Sequence, residues 1–387
     1  MQISEYTPPT ILNNLEKWAV FFIYLFVNGL FIVKYGGRFS FYIFPVYLVS
    51  LLVFAVFYFK INLRNSAYQY LFWGLVALFF IFSVAVNYYV DGKSLNVDRW
   101  DAMEIGIKAI FNNEYPYNIR NYLGRESSNL PFLIVLGMPF YVVFGSVGFL
   151  QSFSFLLFSY LIFKIFKTYK LRLAAIVLFI LSPSYLWEVY TKSDLFSNFI
   201  LVTGFSYLVW TKLFVQNKLK IEWLSVMTAL VFLTRLSVII PLIILLTKAF
   251  YKFSSQEKLR FISVFVVVVF AMLFLFFRNA ADWEMILSHN PLTIQGSKQP
   301  IFLSVSYLVL AIILAFKVKS YANSVFFSGF VLFIAVVIPY FLHLVEYGYQ
   351  NVMVNSYFDL SFFNMSMPFI ILSLVFNFNT NFKSNLK

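Results

Sequence analysis

Two carboxylates, Asp98 and Asp101, open the stretch NVDRWDAMEIGIKAIFNNEYPY at residues 96–117. Within it Trp100, Met103, Ile107, Ile110 and Phe111 recur at helical spacing, while Asp101, Glu104 and Lys108 fall on another face. The spacing predicts an amphipathic helix lying on a membrane interface. Asp98 stands near its N-cap and Asp101 one turn on, so both carboxylates can cap the helix and complement its dipole. A carboxylate in such a loop can instead take a proton from a bound hydroxyl. Residue types alone leave that choice open.

Other candidates lie further along the chain. Arg235, in VFLTRLSVIIPLIIL at 231–245, separates two apolar half-segments. A charge there is costly unless it faces a cavity or a partner, or marks a helix end by snorkelling. In EVYTKSDLFSN, 188–198, Lys192 and Asp194 share a short turn. They are expected as an aspartate cap with a lysine counter-ion, or as substrate contacts. Arg125 and Glu126, in GRESSNLP, can bind a substrate or pair with each other. His343 and Glu346 are spaced i, i+3, a geometry that could hold a metal, although no third ligand accompanies them. His343 is otherwise an interfacial histidine or a substrate contact, and His289, in LSHNP, reads as part of a turn.

The elements that must position these residues follow from composition. The 387 residues are 61% hydrophobic and 12% charged, against about half and about a quarter in a soluble domain. Apolar segments fall at about 18–33, 41–59, 69–90, 131–147, 149–163, 173–188, 194–211, 222–247, 261–277, 301–316, 323–343 and 357–376. They lack strand-like alternation. The expected fold is therefore all-α, a polytopic bundle of about ten to twelve membrane-crossing or membrane-dipping helices. With no linker and no internal repeat, residues 1–387 read as one domain. The first apolar block has no cleavage pattern after it and reads as a retained helix.

The net charge of +13 comes from basic residues scattered through short loops, the pattern of a membrane topology signal and not of a nucleic-acid surface. No cysteine is present, which excludes disulfides, thiolate nucleophiles and cysteine-ligated metals, and two histidines cannot build a histidine-rich metal site. No cofactor is implied, although a divalent cation could serve. The basic segments 164–172, 212–220, 248–260 and 317–319 all read as cytoplasmic if 222–247 is a hairpin turning near Arg235. The two long loops, 91–130 and 278–300, then share the opposite side, provided 131–163 makes one net crossing.

Asp98, Asp101-Ala102, Tyr115-Pro116-Tyr117, Pro131 and the PFYVVFG run at 139–145 together resemble the first extracytoplasmic loop of GT-C glycosyltransferases. The likeness is greatest to polyprenol-phosphate-mannose-dependent mannosyltransferases and the catalytic subunit of GPI mannosyltransferase I. The chain departs from the family in carrying Asn129-Leu130-Pro131 where many members have Tyr-Pro-Pro, and in two extra apolar helices at its start. By position Asp98 matches the family's catalytic aspartate, with Asp101 as the fallback. A basic residue recurs in the family in a hairpin like that of Arg235, so the resemblance makes Arg235 a ligand of the donor phosphate. Glu104, Tyr117, Arg125, Glu126, Lys192, Asp194 and His343 complete the candidate substrate contacts.

The resemblance implies transfer of one hexose, mannose or another, from a polyprenyl-phosphate donor to a glycan or glycolipid acceptor hydroxyl. A carboxylate would act as general base, and single displacement would invert the anomeric carbon. Arginine suits the leaving phosphate. The rival readings are a transporter or flippase for a lipid-linked saccharide, which would bury charges midway along symmetric, interrupted halves, and a polysaccharide polymerase or ligase. Partners are thus the bilayer, a lipid-linked sugar and its acceptor, with no nucleic acid. The high Phe, Ile, Asn and Lys content suggests a bacterial inner membrane, with the active side facing the periplasm.

Overall fold

The structure, a computed structural model, describes residues 14–297 and 299–384, with side chains through 378. The chain begins with three long helices, α1 (Asn14–Tyr35), α2 (Ser40–Lys60) and α3 (Asn65–Tyr89), followed by α4 (Arg99–Phe111) in the first long loop. Next come α5 (Pro131–Phe144) and α6 (Phe149–Ile165), bent by 111° at their junction, then α7 (Tyr169–Ile180) and α8 (Pro183–Thr191), bent by 59°. Helix α9 (Leu195–Val209) leads to α10 (Ile221–Phe232) and α11 (Ile239–Lys252), which flank Arg235. After α12 (Ser255–Phe277) the second long loop holds α13 (Trp283–Ser288) and α14 (Pro291–Gly296). The chain closes with α15 (Ile301–Lys317), α16 (Tyr321–Tyr349) and α17 (Met367–Ser384).

Every expected apolar segment lies on one or two of these helices, and the fold is an all-α polytopic bundle. Among the described residues six helices are long and apolar enough to cross a membrane, or up to nine if each bent pair counts as one span. Helices α2 and α12 expose apolar side chains such as Leu52, Val53, Val267 and Phe270 along their length. Such faces are stable against lipid and not against water. The protein is an integral membrane protein.

Local sequence explains the breaks. Proline occupies the first turn of α5, α8 and α14, where its missing N–H costs nothing. Gly145 (φ 74°) closes α5 in the left-handed conformation. Ser254 and Glu257 form a reciprocal capping box that starts α12. With 14 residues α5 is about 21 Å long, too short for about 30 Å of hydrocarbon. Residues 131–163 therefore fold as one broken element.

The two ends of the bundle differ. At one, Lys248 Nζ donates to Val318 O (3.4 Å), Arg260 faces Glu222 (3.8 Å) and Lys170 Nζ donates to Asn62 Oδ1 (2.8 Å). This end gathers the basic segments. At the other the two long loops meet, the Tyr115 hydroxyl donating to His289 O at 2.8 Å and Gln295 Nε2 to Ser128 O at 2.5 Å. Beneath that end a small apolar cluster, with Trp100, Met103, Ile107, Leu133, Ile134 and Phe276, seats α4 on α5 and α12. Its other face is enclosed too, since Asp101 and Glu104 are buried.

The main core joins α1, α3, α6, α9, α16 and α17 among others. Gly329 lets α16 approach α17 closely: an added Cβ would stand 2.9 Å from Phe369 Cβ, an atom fixed to the backbone. Gly329→Ala should therefore destabilise the bundle by about 1–3 kcal/mol through overpacking. Thermal unfolding of the purified protein in detergent checks this, and an unchanged melting temperature would show that the two helices separate freely.

Candidate functional site

Where the two long loops meet, a cavity of about 1190 Å³ opens between α4, the α10–α11 break, α15, α16 and the segment before α17. It exceeds the few hundred to about 1,000 Å³ of ordinary small-molecule sites. One part is charged, lined by Asp98, Arg99, Arg125, Glu126, Arg235 and Asp359. The other is apolar, lined by Ile240, Ile301, Leu308, Leu332, Val336 and Pro339. Along α16 the lining runs from Leu332 to His343, about 16 Å of helix, or roughly half the hydrocarbon thickness. The cavity is thus amphipathic, and suits a ligand with a charged head and a greasy tail.

Asp98 and Asp101, equivalent on paper, have different surroundings. Asp98 occupies the N-cap position, yet its side chain makes no capping hydrogen bond. Its Oδ2 instead accepts from Asn121 Nδ2 at 2.9 Å and lies 3.7 Å from Arg125 Nη1, on the cavity wall. Asn121 is held firmly, because its Oδ1 accepts from both Leu123 N and Arg125 N, each at 3.0 Å. Gly124 (φ 74°) closes the turn. Asp101 is buried, accepts from Tyr122 N at 3.0 Å, and is not among the cavity residues. Capping explains neither carboxylate: Asp101 fastens the loop to α4, and Asp98 is left facing the cavity.

Asp194 also departs from the expected cap. It stands at the N-cap of α9 without capping, and its Oδ2 accepts from Arg235 Nη2 at 2.5 Å, both side chains being buried. Glu188 caps α9 in its place, accepting from Phe196 N (2.6 Å), Ser197 N (2.7 Å) and Ser197 Oγ (2.8 Å). Lys192 is not the counter-ion of Asp194. It takes the left-handed conformation (φ 55°) that ends α8, and its ammonium lies 5.9 Å from the Trp100 ring centre. Arg235 sits in extended backbone (φ −160°, ψ 145°) between α10 and α11, the turn of the expected hairpin.

Arg125 and Glu126 do not pair with each other: Arg125 faces Asp98, and Glu126 Oε1 lies 3.0 Å from His289 Nδ1. His289 therefore links the two long loops. Glu104 accepts from Val147 N at 3.1 Å, tying α4 to the α5–α6 junction. Burial pushes its carboxyl above the usual range, against the pull of that N–H. Tyr117 is fully buried, edge-on to Tyr115 and Phe277. His343 lines the cavity, with Nδ1 2.8 Å from Pro339 O and its ring against Phe358. No group of three or more histidines and carboxylates converges as a metal site among the described residues.

Of the ten candidates, then, Asp98, Arg125, Glu126, Arg235 and His343 line one cavity, and Asp194 braces Arg235 from behind. Asp101, Glu104, Tyr117 and Lys192 hold the scaffold.

The sequence reading missed Arg99 and Asp359. Arg99 Nη2 donates to Asp359 Oδ2 (2.7 Å) and Ser361 Oγ (3.1 Å), with its guanidinium over the Phe362 ring. Burial alone would raise the Asp359 carboxyl, but Arg99 holds it well below the usual carboxylate range. The signal was a lone aspartate inside the apolar segment 357–376. Gln295, also missed, accepts from Leu236 N (2.9 Å) while donating to Ser128 O, and so staples the second loop to the α10–α11 break and to the first loop.

No family model, curated protein or solved structure matches the chain.

Removing Arg235 strands a buried carboxylate. Arg235→Ala should cost about 3–5 kcal/mol, as for a buried pair robbed of one partner. The double variant Asp194→Asn/Arg235→Gln should recover most of that loss. Melting temperatures of the wild type, Asp194→Asn, Arg235→Gln and the double variant in one detergent measure the coupling, and simple additivity of the two single substitutions would mean that the pair is not the brace described.

Proposed function

We propose that the protein is a membrane glycosyltransferase of GT-C type, moving one hexose from a polyprenyl-phosphate donor to the hydroxyl of a glycan or lipid acceptor. The observation that carries this reading is the Asp98 carboxylate, uncommitted to capping and held by Asn121 at the charged end of an amphipathic cavity. A lipid tail suits the apolar walls along α15 and α16, and a phosphate suits the arginine-rich end.

The balanced step is a single displacement. Asp98 takes the proton of the acceptor hydroxyl as its oxygen attacks the anomeric carbon. The bond from that carbon to the phosphate oxygen breaks, and the polyprenyl phosphate leaves with the electron pair. Inversion follows from one displacement. Arg125, 3.7 Å from Asp98, and Arg235, held by Asp194, are positioned to oppose the charge that develops on the leaving group. In this reading the cavity end of the bundle faces the periplasm of a bacterial inner membrane, where lipid-linked sugars are presented.

Asp98→Asn keeps the shape and removes the base, so transfer from polyprenyl-phosphate mannose or glucose to a lipid extract should fall by about 10²- to 10⁴-fold. Asp101→Asn should instead lower thermal stability while retaining transfer in whatever protein stays folded. Full transfer by Asp98→Asn would remove Asp98 from the chemistry.

A further inference from the structure

Three hydrogen-bond donors on the cavity wall have no partner among the described residues: Asn129 Nδ2, Arg235 Nε and the Tyr307 hydroxyl. Their residues are 3%, 4% and 4% exposed. In this conformation each atom is sealed from water at the cavity surface, the situation in which an unmade hydrogen bond is most costly. Such atoms occur elsewhere among the described residues too, as at Tyr117 and Ser193. Three on one cavity, all able to donate, call for a common acceptor.

The backbone brings two of the three together, and the third lines the same cavity. Residues 128–132 run beside 233–236: Phe132 N donates to Leu233 O at 3.0 Å, and Gln295 bridges Ser128 O and Leu236 N. Asn129 and Arg235 therefore project from neighbouring segments. Arg235 is oriented by Asp194, which engages Nη2 and leaves Nε without a partner among the described residues. Tyr307 comes from α15, which packs against both α11 and α16. Side chains on a helix lean toward its N-terminus, here the end where the loops meet. Tyr307 lines the cavity on α15 between Ser304 and Leu308.

We infer that Asn129, Arg235 and Tyr307 form a donor cradle for the phosphate oxygens of a lipid-linked ligand, at the junction between its head and its tail. This rests on the reading that the cavity takes a polyprenyl phosphate, and adds Asn129 and Tyr307 to the residues that hold it. Anionic oxygens accept several hydrogen bonds at once, so one phosphate can take donors from all three segments. The lipid follows from the lining: the walls on α15 and α16 include the apolar Leu308, Leu332, Ala335 and Val336.

Equilibrium binding of radiolabelled undecaprenyl phosphate to the full chain in nanodiscs tests this, with undecaprenol as the probe that has the tail but no phosphate. Tyr307→Phe deletes one oxygen and leaves the ring, so the protein should fold. Its affinity for undecaprenyl phosphate should fall about tenfold, the worth of one hydrogen bond to a charged group, while undecaprenol binding stays as in wild type. Asn129→Asp, which sets a carboxylate against the phosphate, should weaken the same probe further. Undiminished binding of undecaprenyl phosphate by Tyr307→Phe would overturn the cradle and leave the donor reading intact. Equal affinity of the wild type for the two probes would overturn both.

Discussion

A guanidinium enclosed in a helix bundle must be paired, and the pairing of Arg235 with Asp194 shapes what surrounds it. Because Asp194 is turned toward Arg235, it cannot cap α9. That role passes to Glu188, whose carboxylate takes the first amides of α9 and also accepts from Asn364 Nδ2 at 3.3 Å. Asn364 in turn donates to Ser184 O. One ion pair is thereby connected to α8, α9, the α10–α11 break and the segment leading into α17. Next to it Arg99 and Asp359 make a second pair, which fastens the start of α4 to that same segment.

The charged end of the cavity is built on this network, and its roof on contacts between the two long loops. Gln295, His289 and Tyr115 join loops that lie far apart in sequence, so the charged end is assembled from four separate stretches of chain. The walls need no such assembly. They are the faces of α15 and α16 that carry Ile301, Leu308, Leu332 and Val336. A charged end defined by ion pairs, joined to apolar walls, is the physical basis for the proposal of a lipid-linked anion here.

Much of this was legible in the sequence. Twelve apolar blocks without alternation lead directly to an all-α membrane bundle, and an arginine between two apolar half-segments announces a break in a hairpin. The two long loops were recognisable as the place to look, and Asp98 as the residue to weigh. Partners were harder to read. Asp194 and Asp98 occupy cap positions in the chain, but their carboxylates point elsewhere, because tertiary partners with full charges outcompete backbone amides. Arg125 and Glu126 are neighbours in sequence and face different partners in space. Asp359 was hidden by hydropathy averaging, and Gln295 and Tyr307 have no sequence signature, since both act through segments brought close only by the fold.

The account stands or falls on where a lipid phosphate binds. A cryo-electron microscopy structure of the chain in nanodiscs with undecaprenyl phosphate measures this directly. The account predicts phosphate density within hydrogen-bonding distance of Arg235, with the tail descending between α15 and α16 and Asp98 facing the head across open space. Density for the lipid on the outer faces of α2 or α12, with the cavity holding no phosphate, would contradict it.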